Sequence, residues 1–224
     1  MGCDRKTVPH TSITHRHYLS VRHIDRFIHG SLRGFPLAGP VLDCGCGNKP
    51  YAALFERTRT RLIGVDIEQS SRSRADVLMA REGSLPFRRD SFEGALCTQV
   101  IEHVPDPHGL LEEVWRVLKP GGLLLLTAPF VWEQHELPHD YLRFTEMGMR
   151  RLAIDAGFHV LTLDGCGGFW ETIGQLVVNR IPRWPYADVF LVAPCNWLFD
   201  RLDRWFKMSG ITCNWQMVLR CEKN

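Results

Sequence analysis

Short apolar runs alternate with amphipathic stretches through the central part of the chain. Continuous apolar runs predict strands, whereas apolar residues spaced three and four positions apart predict helices. Parallel strands joined by helices are covered on both faces, which explains why they are apolar throughout. The pattern therefore predicts a doubly wound α/β fold with a mostly parallel sheet. The predicted strands are residues 41–44, 61–66, 94–98 and 123–128, and the predicted helices are residues 50–57 and 109–118.

Glycine, proline and threonine residues indicate where several elements begin and end. The Lys-Pro-Gly-Gly sequence at residues 119–122 is expected to end the second helix, because a helix disfavours proline and glycine accepts the left-handed cap. The next strand would then begin at Leu123. Thr145 is predicted to cap a helix that stops at Gly157, and residues 158–164 are predicted to form another strand.

Elements are also predicted on both sides of this core. Residues 18–28 have apolar side chains at helical spacing, which predicts an amphipathic helix ending near Gly30. Towards the C-terminus, residues 165–180 predict a helix, a proline-containing connector follows, and residues 212–219 suit a last strand. The predicted organisation is an N-terminal helical extension (1–37) and one α/β domain (38–224) with a helical insertion at about 165–210.

The composition is that of one ordinary globular domain. With 224 residues, of which 45% are apolar and 23% charged, the chain can bury one sizeable core. The formal net charge of +2 gives no electrostatic reason to expect a nucleic-acid partner. The eight cysteines form no CxxC pair, and residues 1–10 lack the apolar stretch of a signal peptide. We therefore expect reduced thiols, no transmembrane segment and a cytoplasmic location.

The first predicted strand leads into a glycine turn. In open parallel sheets, ligands bind beyond the carboxyl ends of the strands, where glycines let the backbone approach the ligand. This turn contains Asp43, Gly45 and Gly47, and Asp66 ends the next strand. A dinucleotide site needs a third glycine, but Pro50 stands there, and an acid beside a pyrophosphate is unfavourable. The turn therefore favours a cationic adenosine cofactor, S-adenosylmethionine, with Asp66 accepting the ribose hydroxyls.

Five segments within roughly residues 40–164 form a set of motifs: VLDCGCGN, GVDIE, SLPFRRDSFEGALCTQVIEHVPDP, LLEEVWRVLKPGGLLLLTAP and HDYLRFTEMGMRRLAIDAGF. Together they resemble the class I S-adenosylmethionine-dependent methyltransferases, specifically the type 11 branch. The resemblance implies a seven-stranded Rossmann-like methyltransferase fold. It also implies that Asp43, Gly45 and Gly47 line the methionine and ribose part of the cofactor. Asp66 would hold the ribose, and Ile67 would pack on adenine.

The same resemblance places further residues beside the cofactor. Leu85 begins a Leu-Pro-Phe segment that borders adenine in this family, where an acidic residue shortly upstream often faces the exocyclic amine. Arg81 or Glu82 occupies that neighbourhood, and Glu82 is the acidic candidate. Gln99, at the end of the strand predicted at residues 94–98, matches the position that borders the methionine moiety.

Methyl transfer from a sulfonium requires alignment of the acceptor and, where needed, removal of a proton. Histidine has a suitable pKa for such a base. His135 and His139 lie in a polar loop after the strand at residues 123–128, and His103 follows the strand at residues 94–98. We take His139, His135 and His103 as candidate catalytic residues, with hydrogen bonding that braces the loop as the alternative.

A metal site is a second interpretation of the same loop. His135 and His139, with Glu136 or Asp140, offer imidazole and carboxylate ligands of the kind that bind zinc or iron. Pro138 disfavours the helix that would place both histidines on one face. We therefore expect no metal ligands here.

Aromatic residues are concentrated between residues 184 and 206. They can belong to the core, form a lid over an apolar substrate, or form a surface that contacts lipid or another subunit. The partners considered are a small-molecule methyl acceptor, a membrane contacted peripherally through residues 184–206, and a second copy of the chain in a homodimer. No nucleic-acid partner is expected.

These observations predict methyl transfer to an O or N atom of a small-molecule metabolite, by in-line displacement with a histidine base. The acceptor is expected between the N-terminal helix, the loop at residues 130–143 and the helical insertion. Two alternatives stay open. One is a non-catalytic relative that binds the cofactor and acts through a protein partner, and the other is a methyltransferase for a quinone-like or lipid-linked acceptor at a membrane surface.

Overall fold

The structure is a computed structural model that describes residues 12–58, 60–67, 74–79, 84–208 and 210–223. Among these residues, seven strands form one sheet in the order β3-β2-β1-β4-β5-β7-β6. Strands β1 to β5 are parallel, and β7 is antiparallel to both of its neighbours. The strands are β1 (Val41–Cys44), β2 (Leu62–Asp66), β3 (Val77–Leu78), β4 (Phe92–Thr98), β5 (Leu118–Pro129), β6 (Phe158–Cys166) and β7 (Asn214–Cys221). The predicted seven-stranded, mostly parallel sheet is confirmed.

Helices cover both faces of the sheet, as a doubly wound fold requires. Val41 belongs to an apolar cluster with Ile28 and Phe55 from helices on one face of the sheet. Its neighbour Leu42 belongs to a second cluster with Val114 from a helix on the other face. None of the described helices combines the length and hydropathy of a membrane-spanning segment. The helices are α1 (Tyr18–Gly34), α2 (Ala52–Thr58), α3 (Pro107–Val117), α4 (Glu146–Asp155), α5 (Phe169–Arg180) and α6 (Ala193–Trp205), with a 3₁₀ turn at Ile101–His103 and a π-helical turn at Asp188–Val192.

Several element boundaries differ from those predicted, and two of these differences have a clear physical reason. Helix α1 continues past Gly30 to Gly34, because Leu32 still packs against the apolar cluster of its face. Strand β5 begins at Leu118 rather than Leu123, since buried Leu118 already pairs with Phe92 of β4. The Lys-Pro-Gly-Gly sequence therefore forms an irregularity inside the strand, where the register shifts, and does not separate the helix from the strand.

The predicted N-terminal helix and helical insertion pack against each other. Helices α5 and α6 lie between β6 and β7 in the chain, within the predicted insertion. Arg22 of α1 is buried and forms ion pairs with Glu171 of α5 and Asp200 of α6. This charged cluster joins α1 to both insertion helices. The division into residues 1–37 and 38–224 stays a prediction.

Candidate functional site

The strand order reverses between β1 and β4, and the glycine turn after β1 lies at this point. Gly45 and Gly47 both have positive φ, at 67° and 48°. A Cβ atom on Gly45 would lie 2.5 Å from the Val100 side chain, so only glycine fits there without displacement. The Gly45 and Cys46 N–H groups both donate to the Val65 carbonyl, at 2.9 and 3.0 Å. The turn is therefore fixed against β2.

The end of β2 joins this turn through Asp66. Its carboxylate accepts hydrogen bonds from the Gly47 N–H at 3.0 Å and the Ile67 N–H at 2.8 Å. Asp43, predicted to share the cofactor with Asp66, is buried at the end of neighbouring β1. Ile67 is 44% exposed, so its apolar surface is available to a ligand. Five of the predicted cofactor residues, Asp43, Gly45, Gly47, Asp66 and Ile67, thus lie at one edge of the sheet.

An ion pair beside the turn was not predicted from the sequence. The Lys49 ammonium donates to Asp76, whose carboxylate also accepts from the Gly64 N–H at 2.8 Å. Burial raises the pKa of Asp76, but the bonds from Lys49 and Gly64 outweigh this effect and lower it below its usual value. The carboxylate of Asp76 balances the positive charge of Lys49. This positive charge therefore does not offset the negative charges of Asp43 and Asp66. No local sequence pattern links Lys49 to Asp76, because they are far apart in the chain and meet only at the edge of the folded sheet.

Helix α3 holds the predicted adenine segment. The Leu85 N–H donates to Glu113 at 2.8 Å, and the Arg116 guanidinium donates to the Leu85 and Phe87 carbonyls at 2.9 and 2.8 Å. The hydrogen bond from Arg116 lowers the pKa of Glu113. Glu113 and Arg116 stand three positions apart on a helix, so this ion pair could have been predicted from the sequence. The Leu85 side chain is 2% exposed and packs in the core, and Glu82 lies outside the described residues.

Gln99 lies directly after β4, as predicted. Its backbone has a φ of 56°, in the left-handed region that non-glycine residues seldom occupy. Its N–H donates to the Thr127 carbonyl at 3.0 Å, and its amide Nε2 donates to Thr127 Oγ1 at 3.2 Å. Both contacts tie Gln99 to the end of β5.

Two of the three candidate catalytic histidines lie together. His103 ends the 3₁₀ turn after β4, and its ring contacts that of His135 edge to face, with centroids 4.6 Å apart. His103 Nδ1 is 2.7 Å from the His139 carbonyl, so this nitrogen carries the proton and donates it. His103 Nε2 lies 3.7 Å from carboxylate oxygens of both Glu102 and Glu136.

The loop that carries His135 is held by Asp140 and Arg143. Asp140 accepts from the His135 N–H at 2.9 Å and from Arg143 Nη1 and Nη2 at 2.6 and 2.9 Å. Burial raises the pKa of Asp140, but these bonds outweigh it and lower the pKa to about 2. Burial lowers the pKa of His135, and the neighbouring His103 lowers it further by a smaller amount. His135 is therefore neutral near pH 7 and can act as a base or a ligand.

His139 occupies a different position from the other two. Its side chain is exposed, and its Nδ1 is 3.0 Å from the Tyr141 hydroxyl. Its carbonyl accepts the hydrogen bond from His103 Nδ1. The assignment of His139, His135 and His103 as catalytic residues stays a prediction.

The three segments expected around the acceptor meet in the structure. The His17 ring, just before α1, lies 5.6 Å from the Trp132 ring of the loop. Arg16 donates to the Ile181 carbonyl at 2.7 Å, and Arg180 pairs with Glu133 at 3.2 Å. The N-terminal segment, the loop after β5 and the helical insertion are therefore in direct contact.

Helix α6 has the reverse of the usual polarity. Its buried residues include Asn196 and Asp200, whereas Trp197 and Trp205 are 52% and 69% exposed. Asn196 Nδ2 donates to the Ile13 and His15 carbonyls at 2.7 and 3.0 Å, which satisfies both N–H groups of its buried amide. Most side chains of the predicted aromatic cluster are therefore exposed on the surface of this chain. Its other strongly exposed members are Trp184, Tyr186, Phe190 and Phe206.

Comparison with known proteins identifies relatives of a large part of the chain. A family model described as a methyltransferase domain matches residues 42–126. An uncharacterized methyltransferase of Mycobacterium leprae is 30% identical over 177 residues, which are 69% of this chain and 65% of that protein. The chain therefore spans slightly less than two thirds of the length of this relative. A ubiquinone biosynthesis O-methyltransferase of Chromobacterium violaceum is 28% identical over 64% of this chain and 72% of its own length.

The fold has solved counterparts. A SAM-dependent methyltransferase from Archaeoglobus fulgidus superposes with a TM-score of 0.59 at 14% identity, covering 90% of this chain and 94% of its own. At this identity the superposition is evidence for a shared fold only. The family model and the mycobacterial relative add evidence from the sequence. The chain belongs to the class I S-adenosylmethionine-dependent methyltransferases.

Proposed function

We propose that this protein transfers a methyl group from S-adenosylmethionine to an oxygen or nitrogen atom of a small-molecule acceptor. The observation that carries the proposal is the sheet edge where Asp43, the next-to-last residue of β1, and Asp66, the last residue of β2, lie beside the glycine turn. Two carboxylates beside a compact turn suit a ligand with cationic groups and no phosphate.

The chain has suitable residues for each part of this cofactor. Asp43 and the Gly45–Gly47 turn are proposed to hold the methionine and ribose end, and Asp66 the ribose hydroxyls. Ile67, with 44% of its surface exposed, is proposed to contact adenine. When bound, S-adenosylmethionine supplies an activated methyl group whose departure leaves a neutral thioether.

The remaining task of the protein is to align the acceptor and remove its proton. His135 and His103 are the bases that we favour, since the lowered pKa of His135 keeps its ring neutral near pH 7. Transfer forms the bond from methyl carbon to acceptor and breaks the bond from sulfur to carbon, and the acceptor proton passes to the base. His139 is the third candidate, and its exposed ring places it at the outer side of the loop.

Calorimetry with S-adenosylmethionine and its demethylated product tests the cofactor assignment. Asp66→Ala is expected to weaken binding by roughly 10- to 100-fold, because hydrogen bonds to a charged group contribute about 1.5–3 kcal/mol. Asp164→Ala removes an exposed acid from β6 and serves as the matched control. Absence of binding to the wild-type protein would refute the proposal.

Labelled cofactor tests turnover while the acceptor is still unidentified. The protein is incubated with a cell extract and S-adenosylmethionine carrying an isotopic methyl label, and the aqueous and lipid fractions are then analysed by mass spectrometry. A labelled aqueous metabolite is the expected product. Tight cofactor binding with no labelled product would favour the non-catalytic alternative.

A lipid-borne acceptor is a second candidate, favoured by the reversed polarity of α6. Trp197, Arg201 and Trp205 share one exposed face of this helix, with the Arg201 guanidinium 5.7 Å from the Trp197 ring centre. Exposed tryptophan beside arginine suits the interface of an anionic membrane. One relative is named as a ubiquinone biosynthesis O-methyltransferase, which is compatible with a lipophilic acceptor.

Vesicle flotation tests this second candidate. A variant with serine at Trp197, Trp205 and Phe206 is expected to lose flotation with vesicles that contain an anionic phospholipid. The control variant carries serine at Met147 and Ile154, two exposed apolar residues of α4. Equal flotation of both variants, or none by the wild type, would remove the membrane candidate.

A further inference from the structure

Glu102, His103 and His135 form a cluster that the sequence did not predict. Each has one potential ligand atom, and the three atoms lie within 4.8 Å of one another. Glu102 and His103 belong to the 3₁₀ turn after β4, whereas His135 belongs to the loop after β5. The fold thus brings together two imidazoles and a buried carboxylate from separate segments.

The spacing of these atoms suits a single small cation. Ligand atoms that bind one ion tetrahedrally over bonds of about 2.1 Å lie about 3.4 Å apart. Glu102 Oε1 and His103 Nε2 are 3.7 Å apart, which is beyond hydrogen-bond distance but close to this value. A closure of a few tenths of an ångström would place both atoms around one ion. The exposed Glu136 carboxylate, 3.7 Å from the same nitrogen, lies on the solvent side.

Polar groups hold both imidazole rings in place. His103 donates its Nδ1 proton to the His139 carbonyl, which leaves Nε2 with a lone pair facing Glu102. His135 Nδ1 lies 3.3 Å from Arg143 Nη2, which can only donate, and 3.5 Å from Asp140 Oδ2, and the Asp140 carboxylate is itself held by Arg143. Imidazoles that bind metals are commonly oriented by a backbone carbonyl or a carboxylate at the other nitrogen. The His139 carbonyl is such a partner for His103, and ion binding through Nε2 of His135 requires the tautomer that carries its proton on Nδ1, next to Asp140.

We propose that Glu102, His103 and His135 bind one transition-metal dication of the Zn²⁺ type. Two imidazoles and one carboxylate suit such an ion and leave at least one coordination position open. The metal site considered from the sequence, and set aside because of Pro138, paired His135 with His139, whose side chain is not one of the three in the cluster. Glu102, which takes the place of His139, stands next to His103 in the chain and was not predicted as a metal ligand.

An open coordination position has a chemical use if the proposed methyl transfer is correct. The cluster follows β4 by a few residues, as does Gln99, the residue expected to border the methionine moiety. An acceptor hydroxyl bound to the ion would lose its proton to solvent more readily, as metal-bound water does, and with the ion bound this effect would replace the role of His103 and His135 as bases, because their nitrogens would be ligands. This use rests on the proposed function, but binding of the ion does not.

Metal titration of the full chain, purified without a histidine tag and stripped with a chelator, tests the site. The probes are Zn²⁺ by calorimetry and Co²⁺ by visible absorption, both in the absence of cofactor. Binding of one ion per chain is expected, and Glu102→Gln, His103→Ala and His135→Ala are each expected to weaken it at least about tenfold. His159→Ala removes an exposed histidine from β6 and should bind as the wild type does.

The outcomes separate the metal site from the proposed function. Absence of one-to-one binding, or binding unchanged in His103→Ala and His135→Ala, would overturn the site. Thermal melting of every variant shows whether a loss of binding reflects unfolding. His135→Ala, which alters a loop residue, keeps the test informative if Glu102→Gln does not fold. Binding of the demethylated cofactor is measured separately, so either proposal can fail while the other stands.

Discussion

The Gly47 N–H donates a hydrogen bond to the Asp66 carboxylate over 3.0 Å. This bond joins the turn after β1 to the end of β2, so the two motifs that indicated a cofactor site belong to one structural unit. The same carboxylate also accepts from the Ile67 N–H. Its position is therefore set by the backbone of the chain before any ligand is present.

The first prediction concerns Gly45, which has a φ of 67° and faces Val100. Gly45→Ala is expected to destabilise the protein by roughly 1–3 kcal/mol, because it combines an unfavourable backbone conformation with a steric clash. Urea unfolding measures the change, and calorimetry with the demethylated cofactor should show weaker binding. Val100→Ala in the same chain removes the clash but not the backbone strain, so it should restore part of the lost stability. Equal stability of Gly45→Ala and wild type would contradict the assigned geometry.

The second prediction concerns the buried ion pairs of Arg22. Arg22→Met is expected to lower the free energy of unfolding by about 3–5 kcal/mol, because Glu171 and Asp200 would remain buried without their shared partner. Chemical unfolding followed by circular dichroism measures the loss. Arg26→Met, an exposed position on the same helix, is the control and should change stability little. Similar losses in both variants would show that α1 is not held through Arg22.

The third prediction concerns pH. The pKa of Asp140 is lowered to about 2 in the folded chain, against an ordinary value near 3.9, so its contribution is present above pH 4 and is lost as the pH falls towards 2. Asp140→Asn should therefore cost about 2 kcal/mol at pH 6, and the difference from wild type should shrink as the pH is lowered. Urea unfolding of both proteins at several pH values measures this. A difference that does not depend on pH would contradict the ion pair with Arg143.

The fourth prediction separates the His139 backbone from its side chain. His139→Ala keeps the carbonyl that accepts from His103, so cofactor binding and the melting temperature should stay near wild-type values. Turnover, measured with labelled cofactor once an acceptor is found, is expected to fall if the His139 ring removes the acceptor proton. Full activity would remove His139 from the catalytic candidates and leave His135 and His103.

Local sequence signals were sufficient for the core of the fold. Strand β1 has the predicted limits, and Thr145 caps α4 by accepting from the Gly148 N–H at 3.1 Å. Strand β3 has two residues and shows no periodicity, so no local pattern could reveal it. The predicted end of α1 at Gly30 was wrong because packing of the following turn outweighs the low helix propensity of one glycine.

The sequence by itself determined the parallel sheet and its glycine turn, because hydrophobic periodicity, backbone freedom and carboxylates at strand ends are local properties. Only the tertiary structure decided which distant side chains meet. Lys49 pairs with Asp76, Arg22 is enclosed by Glu171 and Asp200, and His135 rather than His139 joins Glu102 and His103. Such contacts depend on how loops from different strand ends pack together, and no spacing along the chain encodes that distance.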